Sequence, residues 1–139
     1  MAKLYTLKVI KKANLADNVI ALTLEKPNGL DYTPGQFAQV RLPHPDKPGS
    51  FLPRPYSIAS LPTDADLKFY IKLVDGGKSY SFFKALKEGD RVNLMAPLGR
   101  FNISAADCPS YFIATGVGIA PIVGLIRDLL ENYQADRPV

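Results

Sequence analysis

Short runs of apolar residues, several of them alternating with polar ones, fill the first two-thirds of the chain. They lie at residues 4–10, 19–24, 37–42, 67–74 and 91–96, and Pro- and Gly-rich turns separate them. Such β-rich runs without helical spacing predict strands with one buried face. The stretch 54–60 has the composition of a further strand beside a turn. Six short strands at this spacing indicate an antiparallel sandwich or barrel.

Helical spacing is found once within this β-rich region. Phe82, Phe83 and Leu86 fall at positions i, i+1 and i+4, which places them on one face of a helix. We therefore expect a short helix over residues 79–86, with Ser79 or Ser81 as its N-cap.

The pattern changes near residue 109. Residues 111–115 form a continuous apolar run, which predicts a buried parallel strand. A glycine-rich turn follows at 116–121, and apolar residues then recur at helical spacing up to Leu130. Strand, glycine turn and helix in this order indicate the opening of an α/β nucleotide-binding domain.

Composition and charge exclude several classes of protein. The 139 residues are 47% hydrophobic and carry a net charge of +4, with Lys11–Lys12 the only adjacent lysine pair. Without a basic block, we expect no nucleic-acid partner. The single cysteine, Cys108, can form no internal disulfide and cannot alone hold a metal cluster, so no metal site is predicted. No window approaches the roughly 18 apolar residues of a membrane span. We expect a cytoplasmic protein.

Candidate chemistry begins at Arg54-Pro55-Tyr56-Ser57. Arg54 could bind a phosphate in bidentate fashion, Tyr56 could stack on a ring system, and Ser57 could bond to a ring heteroatom. In a strand, residues 54 and 56 share one face and 57 points to the other. An ordinary edge strand, with a packed tyrosine and a solvated arginine, explains the same stretch.

Two further stretches suit phosphate groups. Residues 76–81 (Gly-Gly-Lys-Ser-Tyr-Ser) open the short helix, and their backbone N–H groups could bind an anion or simply cap the helix. Residues 115–121 (Thr-Gly-Val-Gly-Ile-Ala-Pro) carry two glycines that let a ligand approach the backbone. They depart from the dinucleotide pattern Gly-x-Gly-x-x-Gly, because Pro121 replaces the third glycine.

Five motifs in this order resemble the ferredoxin–NAD(P)H reductase superfamily. They are the stretches 54–60, 76–81, 86–92 (Leu-Lys-Glu-Gly-Asp-Arg-Val), 99–101 (Gly-Arg-Phe) and 115–121, and the Pro-Gly-Gln-Phe turn at 34–37 is also similar. The resemblance implies a mainly β fold: a six-stranded antiparallel Greek-key flavin-binding barrel with one short helix. A β-α unit of an incomplete α/β NAD(P)-binding domain would follow. The expected boundaries are 1–106 for the FAD domain and 107–139 for the second part.

The resemblance also implies roles for individual residues. Tyr56 and Ser57 would lie at the reacting part of the flavin. Thr115, Gly116, Gly118 and Pro121 would face the nicotinamide nucleotide. The full set expected to contact FAD is Arg54, Pro55, Tyr56, Ser57, Ile71, Lys72, Leu73, Gly76, Gly77, Lys78, Ser79, Ser81 and Thr115. Which of Ser79 and Ser81 is the family's serine stays open.

The expected function is that of a flavin-dependent oxidoreductase domain. Bound FAD would carry electrons between NAD(P)H and an iron–sulfur or haem protein. Two alternatives stay open: a non-catalytic relay subunit that holds FAD within a larger complex, and a truncated fragment without activity of its own. In the truncated fragment, the apolar C-terminal helix would bind a partner subunit or self-associate.

Overall fold

Six antiparallel strands and two α-helices make up the described part of the chain. The computed structural model describes residues 1–44, 46–103 and 110–132. The elements, in chain order, are β1 (Lys3–Ala16), β2 (Val19–Glu25), β3 (Phe37–Pro43), β4 (Phe51–Ser57), β5 (Asp66–Lys72), α1 (Tyr80–Ala85), β6 (Arg91–Leu98) and α2 (Ile119–Asn132). A single 3-10 turn, Gly116–Gly118, leads directly into α2. No helix in the described ranges is long and apolar enough to cross a membrane.

The strands lie in the order β4-β3-β6-β1-β2-β5. The two ends of this sheet meet through an antiparallel bridge between Ile58 and Phe69 and through the N–H of Ala59, which donates to the Lys68 carbonyl at 2.8 Å. β6 lies between β1 and β3, so strands distant in sequence are neighbours, as in a Greek key. The predicted six-stranded antiparallel barrel is confirmed.

The barrel interior is built from the residues that alternate inward. Pairs of directly opposed strand residues, such as Leu22 with Phe69 and Leu24 with Leu67, are at most 1% exposed. Burying each such side chain stabilises the fold by about 1.5–3 kcal/mol. The period-two pattern in the sequence therefore corresponds to real layers of the core.

Helix α1 matches the predicted helix within one residue at each end. Ser79 is its N-cap, although the side chain makes no capping hydrogen bond. Phe83 is fully buried, while Phe82 is half-buried against the same core. The predicted apolar face of this helix is thus the face that packs on the barrel.

The region after residue 109 differs from the prediction. Residues 111–115 form no strand, and Tyr111 and Ile113 are 87% and 90% exposed. The predicted buried parallel strand is therefore wrong for residues 111–115. A parallel strand is held by hydrogen bonds to neighbouring strands, and nothing in the described ranges pairs with this run. The expected domain boundary at 106/107 and Cys108 lie outside the described residues.

Helix α2, by contrast, forms as predicted, but its apolar face is not left open. Ala120, Ile122, Gly124 and Leu125 are buried. A Cβ on Gly124 would lie 3.7 Å from both the Pro34 side chain and the Ser60 carbonyl oxygen, so the helix backbone sits close to the barrel. The face expected to seek a partner is thus largely occupied by the barrel itself, whereas Leu130 stays exposed.

Candidate functional site

Strand β4 presents Arg54 and Tyr56 on the same face. Exposure alternates along the strand: Leu52, Arg54 and Tyr56 are half-buried, whereas Pro53 and Pro55 are exposed on the opposite side. The predicted placement of 54 and 56 on one face is therefore what the structure has. Nη1 of Arg54 donates to the Pro53 carbonyl at 2.9 Å. This bond uses one of five guanidinium N–H groups, which leaves the fork with donors for an anionic group.

Helix α1 covers the inner side of Tyr56 with aromatic rings. The rings of Tyr56 and Phe83 meet edge to face, with centroids 5.3 Å apart and planes at 88°. Phe82 meets Phe83 in the same manner at 5.2 Å. Such edge-to-face pairs contribute about 0.5–1.5 kcal/mol beyond the area they bury. Tyr56 is thereby fixed from one side while its remaining surface is open to a ligand.

The side chain of Tyr56 on β4 lies near that of Ser79 at the beginning of α1. Burial raises the pKa of Tyr56, while the nearby Ser79 hydroxyl and the positive charge of Arg54 lower it in part. Two motifs that are distant in sequence therefore meet at one point. Of the two serines that the sequence left open, Ser79 is the one beside Tyr56, whereas Ser81 is exposed.

The glycine turn before α1 is closed by its own hydrogen bonds. The N–H of Gly77 donates to the Val74 carbonyl at 2.9 Å, and a Cβ on Gly77 would lie 2.8 Å from that oxygen. Gly76 donates to the Asp75 carboxylate at 3.1 Å. Within the described residues, the N–H groups of Lys78 and Ser79 have no protein acceptor. Since α1 has only six residues, these two amides are the groups of this turn that are available to an anion.

The end of β5 offers less to a ligand than the sequence suggested. The side chain of Ile71 is 1% exposed and belongs to the core. The N–H of Leu73 already donates to the Asn18 carbonyl at 2.6 Å. Lys72 is exposed. Contacts from this segment would therefore come from the remaining backbone groups and from Lys72.

The glycines of the 115–121 stretch are open on their outer side. A Cβ on Gly116 or Gly118 would meet nothing within 4 Å. The N–H of Gly118 donates to the Thr115 carbonyl at 3.1 Å, and the turn lies against β5. Pro121 is the third residue of α2, where its missing N–H costs little. Among the described residues, no side-chain hydrogen bond joins Thr115 to Arg54, Tyr56 or Ser79.

Sequence reasoning missed the supporting contacts of the site. Phe83 was expected on the apolar face of a short helix, but nothing in the sequence pointed to its ring contact with Tyr56. Asn18 lies in the turn between β1 and β2 and gave no signal of its bond to Leu73. Both contacts join residues more than 25 positions apart, so only the fold reveals them.

The six-stranded antiparallel barrel with its covering helix α1 has the architecture of a flavoprotein cofactor-binding barrel. The sequence profile of the oxidoreductase FAD-binding domain matches residues 6–103. The chain belongs to this family.

Individual relatives place the family in electron transfer. The toluate 1,2-dioxygenase electron transfer component of Pseudomonas putida is 32% identical over 131 residues, covering 92% of this chain and 38% of the relative. The electron transfer subunit of Listeria monocytogenes dihydroorotate dehydrogenase B is 32% identical over 126 residues, which are 88% and 48% of the two chains. The crystal structure of a cytochrome P450 reductase from Amycolatopsis superposes with a TM-score of 0.83 at 29% identity, over 95% and 40%. The chain thus spans half or less of these relatives' length.

Proposed function

We propose that this chain holds FAD beside β4 and α1 and carries electrons between NAD(P)H and an iron–sulfur or haem protein. One observation carries the proposal: Arg54, Tyr56 and Ser79 converge from two elements of a barrel that belongs to an FAD-binding family. A cation, an aromatic ring and a hydroxyl are the groups that a flat anionic cofactor requires. The relatives named electron transfer components support the reaction class.

The residues of the chain would bind and orient the cofactor. Arg54 would bind the pyrophosphate, and the N–H groups of Lys78 and Ser79 would donate to its oxygens. Tyr56, held by Phe83, would lie against the isoalloxazine ring. When bound, FAD would supply the redox chemistry, which is hydride acceptance and single-electron release. The remaining residues proposed to surround it are Pro55, Ser57, Ile71, Lys72, Leu73, Gly76, Gly77, Ser81 and Thr115.

The two parts of the chain would bind different cofactors. We propose residues 1–106 as the FAD domain and 107–139 as the beginning of an NAD(P)-binding domain. Thr115, Gly116, Gly118 and Pro121 would face the nicotinamide nucleotide. The open outer side of both glycines supports this assignment, because a ligand could approach their backbone closely.

A second candidate function is an FAD-holding relay subunit that does not itself react with NAD(P)H. The similarity to the electron transfer subunit of dihydroorotate dehydrogenase B favours it. A chain without independent activity is the third possibility. In both of these, a partner would contact the exposed residues of the second part, such as Tyr111 and Ile113.

The first experiment is the visible spectrum of the purified chain with and without added FAD. Bound flavin supports the proposal, and failure to take up FAD contradicts it. Arg54→Gln should weaken FAD binding at least tenfold, because it removes a bidentate charged contact of about 1.5–3 kcal/mol. Arg91→Gln is the matched control, since Arg91 is exposed at the beginning of β6 and carries the same charge. Equal affinities of the two variants would refute the role of Arg54.

A second experiment separates the enzyme from the relay subunit. The flavin-loaded chain is mixed with NADH or NADPH without oxygen, and the flavin absorbance is followed. Rapid bleaching supports direct reaction with the nucleotide. Bleaching by dithionite but not by either nucleotide supports the relay subunit.

A further inference from the structure

Helix α2 is fastened to the barrel by a bidentate ion pair. Nη1 and Nη2 of Arg127 donate to the two carboxylate oxygens of Asp64 at 2.6 and 2.9 Å. The two side chains are 42% and 29% exposed. Asp64 lies in the loop between β4 and β5, and Arg127 lies in the middle of α2. The pair therefore joins the two parts of the chain.

The loop that carries Asp64 is itself held in place. A carboxylate oxygen of Asp64 accepts the N–H of Leu61 at 2.9 Å. Nζ of Lys26 donates to the carbonyls of Pro62 and Asp64, the first at 2.7 Å. The hydrogen bond from Arg127 is the main cause that lowers the pKa of Asp64, and the bond from Leu61 adds to it. Arg127 thus donates to a carboxylate whose loop is itself held by hydrogen bonds.

The apolar contact beside this pair is close-fitting. A Cβ atom added to Gly124 would lie 3.7–3.8 Å from the Pro34 side chain and from the carbonyl oxygens of Ile58 and Ser60. A Cβ atom added to Gly35 would lie 3.4 Å from Cδ2 of Leu125. Residues 99–103 and 110–115, which approach α2 along the chain, form neither helix nor strand. The position of α2 therefore depends on this seat and on the Asp64–Arg127 pair.

The position of α2 fixes the glycine turn, because the turn leads into the helix without a break. Gly118 and Arg127 are nine residues apart, or roughly 13 Å along a helix, and the turn lies against β5. We propose that Asp64 and Arg127 are positioning residues, which hold α2 on the barrel and so keep the Thr115–Gly118 turn beside the flavin site. That the turn faces a flavin rests on the proposed function; the fastening of α2 does not.

Hydrogen exchange of the chain without added cofactor tests the fastening directly. Arg127→Gln should speed exchange of the amides of Gly118 and of α2 by about fivefold, which is the effect of a partly exposed pair at the upper end of its usual range. Amides of β1 and β6 should keep their rates. Glu131→Gln is the matched control on the same helix, because it removes only the 3.4 Å contact with Arg127. Arg127→Lys keeps the charge but not the bidentate geometry, so its exchange rates in α2 should lie between those of Arg127→Gln and the unmodified chain.

Two results would overturn the proposal. One is unchanged exchange in α2 of the Arg127→Gln variant; the other is an equal rise throughout the barrel, which would mean general destabilisation. If that variant does not fold, Arg127→Lys gives the same test, since it keeps the charge but not the bidentate geometry. Exchange in α2 should then rise relative to the barrel, and no relative rise would again refute the idea.

A flavin-loaded sample adds a readout of position. If the turn lies beside the flavin, Arg127→Gln should change the visible circular dichroism of bound FAD at full occupancy, and Glu131→Gln should not. A normal dichroism spectrum together with faster exchange in α2 would refute the placement of the turn at the flavin while leaving the fastening intact. Absence of flavin binding by the unmodified chain would refute the proposed function instead.

Discussion

The buried phenol of Tyr32 should make the stability of the barrel fall steeply above pH 10. Tyr32 is 3% exposed, and its hydroxyl lies 3.2 Å from the Ser60 carbonyl oxygen and 3.1 Å from Ser60 Oγ. Burial is the main cause that raises the pKa of Tyr32 from its usual 10.0 to about 12, partly offset by the hydrogen bond with Ser60. The folded chain therefore keeps this proton at a pH at which the unfolded chain loses it.

The sign and size follow from proton linkage. A folded-state pKa above the unfolded value contributes stability that is fully present below pH 10 and is lost as the pH rises towards 12. Two pKa units correspond to about 2.7 kcal/mol, an upper value that solvent relaxation reduces to roughly 1–2 kcal/mol. Lysine side chains titrate in the same range, so the unmodified chain alone cannot isolate the effect.

The assay is urea unfolding from pH 8 to pH 12 of the unmodified chain and of Tyr32→Phe. At pH 8 the variant should be less stable by about 1 kcal/mol, because the hydrogen bonds to Ser60 are lost. Between pH 10 and 12 this difference should shrink to zero or reverse. A constant difference across the whole range would refute the reasoning, since it would mean that the Tyr32 proton does not distinguish the folded from the unfolded chain.

Three further outcomes are expected. Gly35→Ala should lower the free energy of unfolding in urea by more than about 3 kcal/mol, because Gly35 has φ +92° and a Cβ would overlap the Phe101 carbonyl. Gly29 has φ +74° with open space around it, so Gly29→Ala should lower it by only about 1 kcal/mol. Equal losses in the two variants would contradict this. Ser79→Ala should weaken FAD binding in a flavin titration about threefold to tenfold, and Ser81→Ala should not; the reverse order would reassign the serine. Acidification below about pH 4 should detach α2 before the barrel unfolds. The pKa of Asp64 is lowered in the folded chain, so the stabilisation by this carboxylate is lost as the pH falls through its folded-state pKa. Simultaneous loss of hydrogen-exchange protection in α2 and in the barrel would refute this.

The barrel could be predicted from the sequence because its strands carry local signals. Leu22 and Leu24 alternate with polar or small residues, and glycine and proline turns mark where each strand ends. Strand order could come only from the resemblance, since pairing of β6 with β1 joins residues as far apart as Lys3 and Ala96. No local pattern records such a pairing.

The same limit applies to the site and to the second part. The motif at 54–57 was visible, but the meeting of Tyr56 with Ser79 depends on how β4 and α1 pack. The run 111–115 has the composition of a buried strand and yet is exposed, because strand formation requires a neighbour and composition cannot supply one. Asp64 and Arg127 are ordinary charged residues in the sequence, and their bond depends on the docking of α2.

The prolines of β4 decide which backbone groups its outer edge offers to the proposed FAD site. Pro53 and Pro55 are paired with Arg41 and Gln39 of β3, and a proline within a ladder must turn its missing N–H away from the neighbouring strand. The free edge of β4 therefore offers carbonyl groups without matching donors, and Arg54 already bonds to the Pro53 carbonyl. Such an edge cannot easily pair with another strand. The edge thus stays open, and for the proposed anionic cofactor the donors would come from the Arg54 side chain and from the amides that precede α1.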